Sequence, residues 1–142
     1  MQRWFLHELG VTDAEAFITY NFAPPSIRRR IGMLGFLHKR VLCQCHPYLL
    51  EALPMSQDPY MHTRTLHTFI DEVREHHNLY FRSLFGYAHI YNRLTQHIVE
   101  LPSVEAFQSK LTHLVKTQAE RGNERWRQAF EDCAEVLRMC HG

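Results

Sequence analysis

Between Ser26 and Leu42 the chain reads SIRRRIGMLGFLHKRVL, and its apolar residues recur at steps of three and four. Ile27, Ile31, Leu34, His38 and Val41 share one helical stripe that Met33 and Leu37 widen, so the segment predicts a long helix buried along one side. Gly32 and Gly35 weaken a helix, a loss that is offset if another helix or backbone presses close at those points. Ser26 has the chemistry of an N-cap, which would put Arg28, Arg29 and Arg30 in the first turn, where the helix dipole favours anions over cations. Such an opening calls for an anionic partner.

A helix of this kind needs neighbours to cover it. Trp4, Phe5 and Leu9 can line a short helix closed by Gly10, and Thr12 with Glu15 forms a capping box for a second whose buried face is Ala16, Phe17 and Tyr20. Phe22, Ala23, Pro24 and Pro25 break that helix and deliver the chain to Ser26. After Leu42, the run Cys45, His46, Pro47 marks a turn, Tyr48 to Leu53 allows a short helix, and Met55 to Met61 reads as a loop that could dock elsewhere. From Thr63 the pattern is helical again, with Leu66, Phe69, Ile70 and Val73 on one side. A helix over Leu79 to Ile98 presents Leu84, Phe85, Ala88, Tyr91 and Leu94 to the central one. Ser103 caps a helix striped by Val104, Phe107, Leu111, Leu114 and Val115, and Gly122 with Asn123 starts a last one in which Trp126, Phe130, Cys133, Leu137 and Cys140 face the same interior.

No β alternation or internal repeat competes with this pattern. The expected architecture is all-α, a single compact bundle of about five or six helices over residues 1–142. Within it, 1–25 is an N-terminal helical segment, 26–53 the central basic and apolar helix with its turn, 54–62 a loop and 63–142 a helical remainder. A chain of this length can bury a substantial core as one domain.

The formal charge of +1 gives no global bias toward nucleic acid or anionic membrane, so electrostatic binding requires a local patch. Arg28, Arg29, Arg30, Lys39 and Arg40 supply one, open to nucleic-acid phosphate or an acidic protein surface. The competing reading is that Asp13, Glu15 or Glu51 neutralises the arginines, or that they lie in solvent. Around Trp126, Arg121, Arg125 and Arg127 form a second patch interleaved with Glu120, Glu124 and Glu131, whose charges should cancel it. The four cysteines are too few and too unevenly placed for a secreted disulfide scaffold, which favours a reducing intracellular compartment. No run has the length of a transmembrane segment, and MQRWFLHEL lacks a secretory signal's apolar stretch.

Cys43, Cys45 and His46 are weak metal candidates, since zinc sites usually place paired ligands two to four residues apart in two matched halves. Cys45 beside His46 is adjacency in sequence and not a catalytic dyad. Phosphate-binding glycine loops, HExxH spacing and acidic clusters for magnesium are missing. These patterns predict no enzyme, no cofactor and no metal.

Two stretches together resemble the C-terminal tail of reverse transcriptases from non-long-terminal-repeat retrotransposons. The first is LHELGVTDAEAFITYNFAPPSIRRRIGMLGFLHKRVL, similar to a family pattern of Leu-Gly, a short helix, Tyr-Asn, Ala-Pro, an arginine pair and Met-Leu-Gly before His-Lys. The second is RSLFGYAHIYNRLTQHIVELPSVEAFQSKLTHLV, similar to an arginine-serine opening, Ile-Tyr-Asn and Leu, then a Ser-x-x-x-Phe helix. Thr95 stands where the family often has proline, Arg30 where aspartate is common, and Cys43 where glycine is usual. Nothing like the polymerase's Tyr-x-Asp-Asp motif occurs, so polymerase activity does not carry over. The resemblance implies a helical, noncatalytic accessory region, with Arg28 and Arg29 matching the family's basic pair as nucleic-acid contacts. It implies a nuclear location if the chain still travels with such an element, and leaves an organelle open. The alternative, for a chain complete from Met1, is a retroelement-derived fragment serving as a structural subunit of a larger multiprotein assembly.

Overall fold

The computed structural model describes residues 2–56, 68–69 and 83–141. These form eight α-helices and one 3-10 helix without a named strand, so the chain is all-α. In order they are α1 (Gln2–Leu9), α2 (Asp13–Tyr20), α3 (Pro25–Val41), α4 (Pro47–Ala52), α5 (Leu84–Asn92), α6 (Gln96–Val99), α7 (Val104–Glu120), the 3-10 helix (Glu124–Gln128) and α8 (Cys133–His141).

Helix α3 is the central element. Its inner side buries Ile27, Ile31, Leu34, Leu37 and His38, the expected stripe, against α7 and α5. His38 is fully buried and makes two side-chain bonds at 2.8 Å, to the Tyr91 hydroxyl through Nδ1 and to the Leu101 carbonyl through Nε2. A carbonyl only accepts, so Nε2 carries a proton, and in the neutral ring Nδ1 receives the tyrosine O–H. The imidazole also stacks on Phe107 at 4.2 Å between centroids. One histidine therefore ties α3 to α5, to α7 and to the turn before α7, its polar atoms satisfied inside an apolar layer.

Local caps follow the sequence closely. Thr12 Oγ1 accepts from Glu15 N, and Ser103 Oγ accepts from Ala106 N, each at 3.1 Å. Gly10 and Gly122 take the left-handed backbone that ends α1 and α7. The start of α3 is different. Pro24 occupies its N-cap position without a side-chain hydrogen bond, and Ser26 lies inside the helix rather than capping it. Proline at the first helical position already has the φ a helix needs and no N–H to satisfy, so the helix starts two residues earlier than expected. The arginine triplet consequently sits beyond the first three helical residues.

Two expected helices are divided, and a third is not helical at its two described residues. Over Leu79 to Ile98 the described part is split into α5 and α6 by Arg93 to Thr95, with Thr95 in extended backbone as the N-cap of α6. The last predicted stripe is broken at Phe130, whose φ of +60° lies in the left-handed region. Trp126 and Phe130 remain buried, but the break rotates the following turn, so Val136 points inward and Leu137 is exposed. Thr68 and Phe69 are extended rather than helical. Phe69 forms an isolated antiparallel bridge with Met55, and buried Asn92 bonds both of its backbone groups, accepting from the N–H at 2.9 Å and donating to the carbonyl at 3.0 Å. The rest of the helix expected from Thr63, and of the Met55 to Met61 loop, lies outside the described residues.

Candidate nucleic-acid interface

The five basic side chains expected at the site divide by what covers them and not by side of α3. Arg40 is buried, donating from Nε to the Leu53 carbonyl at 2.9 Å and from Nη2 to the Leu50 carbonyl at 3.1 Å. It thereby satisfies carbonyls at the end of α4 that the helix leaves without internal partners. Arg30 does the same for the 3-10 helix, with Nη1 donating to the carbonyls of Arg127 and Ala129 at 3.0 and 3.2 Å. Burial commits the Arg40 guanidinium to the fold, which corrects its place in the expected binding set, while half-exposed Arg30 gives Nη1 to the fold. For Arg30 the helical turn explains this, since residue 30 follows residue 27 by about 300° and returns toward the core side, whereas Arg40, eleven residues after Arg29 and so on its side of α3, is covered by α4.

Arg28, Arg29 and Lys39 are exposed. Arg28 and Lys39 are eleven residues apart, about three turns and roughly 16 Å, so they return to nearly the same side of the helix. Arg28 donates to Gln2 Oε1 at 3.2 Å and lies over the Phe22 ring at 5.4 Å, contacts that orient it without cancelling its charge. Among the described residues, no carboxylate pairs with Arg28, Arg29 or Arg30. Asp13, an expected partner, instead faces Arg127 at 3.5 Å. In the second patch, Arg125 and Arg127 meet carboxylates other than those expected, Arg125 pairing with buried Glu135 at 3.0 Å and Arg127 with Asp13, while Arg121 has no such pair among the described residues.

The two glycines also divide. A Cβ on Gly35 would collide with the Gln108 side chain of α7, so the expected close approach occurs there. Gly32 is exposed, and a Cβ on it would have no atom within 4 Å. Its place is in the outward arc with Arg28, Arg29, Phe36 and Lys39. Sequence reasoning passed over Phe36, which stays 40% exposed in that arc. The signal was available, since Phe36 falls opposite the stripe through Ile27, Ile31 and Leu34.

Cys43, Cys45 and His46 leave α3 at its far end. Cys43 is exposed with φ +57°, Cys45 is half-buried, and His46 Nδ1 accepts from Tyr48 N at 3.3 Å as the N-cap of α4. Among the described residues, no three His, Cys, Asp or Glu side chains gather as metal ligands would. On α8, burial pushes the Cys140 thiol up to about 11, a shift partly opposed by the Thr95 backbone N–H and by Lys110.

A second surface lies at the other end of the sequence. Trp4, Phe5, Leu9 and Tyr20 are exposed, and a cleft of about 420 Å³ between α1 and α2 is lined by Phe5, Leu9, Val11, Tyr20 and Phe22 among others. Phe22 joins this cleft to the basic side through Arg28. Among the described residues, no helix is long and apolar enough to cross a membrane. No protein-family model, curated protein or solved structure matches the chain.

Proposed function

We propose that this chain is a noncatalytic helical binding module, derived from or still part of a non-long-terminal-repeat reverse transcriptase, that contacts nucleic-acid phosphate through Arg28, Arg29 and Lys39. The observation that carries the reading is the exposure of these three cations on α3 with no carboxylate partner among the described residues. Two details support the resemblance. Cys43, where the family usually has glycine, adopts a left-handed φ of +57°, the backbone that glycine adopts most readily. Thr95, where proline is frequent, has φ −70°, within the range a proline ring imposes.

Three cations set a scale. At about 0.7 to 0.9 counterions per phosphate contact, log affinity should fall with log salt at a slope of roughly 2 to 3. That corresponds to about 20- to 40-fold between 50 and 200 mM, a modest interaction suited to an accessory contact. Fluorescence anisotropy with a labelled oligonucleotide measures the slope directly. Arg28→Ala with Arg29→Ala should reduce it to about 1 and weaken binding, whereas absent or salt-insensitive binding would overturn the proposal.

The exposed aromatics of α1 and α2 favour a second reading, a structural subunit docked on a larger assembly through the apolar cleft. Co-purification of the endogenous protein separates the two. Partners lost on nuclease treatment support the first, and a stable stoichiometric protein complex that survives it supports the second.

A further inference from the structure

We infer that the outward side of α3 takes unpaired, single-stranded nucleic acid in preference to duplex, with Phe36 as a platform on which a base stacks. This rests on the phosphate-binding reading and adds to it the class of strand. Three features of the surface argue for it together.

The first is the position of Phe36. It stands three residues before Lys39 and one turn after Gly32, on the side of α3 turned away from Leu34 and Leu37, and it remains 40% exposed. An exposed hydrophobic residue is common and by itself means nothing. An aromatic ring set among cations that have no carboxylate partner among the described residues is more specific, because stacking rings beside backbone-tracking positive charges are the two components of single-strand recognition.

The second is the open space at Gly32. The site of its missing Cβ has no atom within 4 Å, the Phe36 ring included, so the space one turn before the ring is open. Glycine inside a helix is unfavourable, and no packing contact accounts for this one. Gly35 shows the contrasting case, where the Gln108 side chain occupies the space. That open space leaves room for a planar base beside the ring and keeps the backbone of α3 accessible.

The third is the number of charges. Duplex binding without base readout draws nearly all its affinity from phosphate contacts, and three cations give little. A paired base offers no free face to Phe36. An unpaired base adds stacking to the same three phosphate contacts, so the same surface should hold a single strand more tightly. Phe22, 37% exposed beneath Arg28, places a second ring beside the cations at the start of the helix.

The test uses the full chain and two labelled probes of equal length, an unstructured oligothymidylate and a mixed-sequence duplex, titrated at the same low salt. The single strand should bind about tenfold more tightly than the duplex. Phe36→Ala should cost about 5-fold or more of single-strand affinity while leaving the salt slope and duplex affinity unchanged, and Phe36→Tyr should restore it. Circular dichroism of each variant checks that α3 is intact. If both probes bind equally and Phe36→Ala changes neither by more than about twofold, the single-strand inference fails while the phosphate-binding reading stands. If neither probe binds, both fail.

Discussion

Arg40 and Arg29 belong to one helix and carry the same charge, yet the fold uses them in opposite ways. Arg40 is buried and closes the end of α4 through two carbonyls, while Arg29 stands in solvent. The comparison extends to Gly35 against Gly32, one filled by Gln108 and the other open, and to His38 against Phe36, one satisfied in the core and the other bare. A cluster of cations in sequence is therefore not a site until the direction of each side chain is known. Guanidinium groups that point toward neighbouring helix ends become structural, and only those that point away remain available for a ligand.

The contrast is sharpest in stability. Arg40→Ala removes two charge-assisted hydrogen bonds and leaves the Leu50 and Leu53 carbonyls without this donor, a loss of about 2 to 4 kcal/mol after allowing for the charge no longer buried. Arg29→Ala should cost less than about 0.5 kcal/mol. Urea unfolding of the two variants measures both, and equal losses would erase the distinction between a guanidinium held by α4 and one left in solvent.

Cys140 extends the contrast to pH. Its thiol, pushed up to about 11 by burial, keeps its proton in the folded chain after the unfolded chain has lost it at its ordinary value of 9.0. The unfolded state then binds fewer protons, so stability should decline as pH rises from about 9 to 11 and be unaffected by this group below that window. Up to about 2 to 3 kcal/mol is at stake by the upper end. Measured against wild type, Cys140→Ala should show a shallower decline. Exposed Cys43 should react with a thiol reagent before Cys140 does, and equal rates would contradict the burial of the latter.

The smallest effect concerns the glycines. Gly32→Ala should stabilise α3 by about 0.5 to 1 kcal/mol, because the methyl meets nothing and helix propensity improves. Gly35→Ala gains the same propensity but must displace Gln108, so it should be the less stable of the two. Thermal melts of both variants give the order directly, and the reverse order would mean that the close approach is at Gly32.

Much of the fold was legible from local pattern. The inward stripe of α3, the Thr12 and Ser103 caps and the glycine ends at Gly10 and Gly122 follow from periodicity and hydrogen-bonding groups within a few residues. The breaks at Thr95 and Phe130 were not legible, since apolar spacing continues across both and only the packed core shows where each segment turns. Phe69 was obscured for a related reason. Its extended backbone is held by Asn92, 23 residues away, against a local pattern that suggests a helix.

At the candidate interface, the sequence by itself determined that a basic helix would expose some cations and that Arg28 and Lys39, three turns apart, would share a side. Tertiary structure alone decided that Arg30 would reach carbonyls up to 99 residues away and that Arg40 would fold back on α4. The periodicity of a helix is fixed by bonds spanning four residues, so any stretch of chain displays it. A guanidinium group's partner is whichever acceptor the completed packing brings within about 3 Å, and that depends on every element between them.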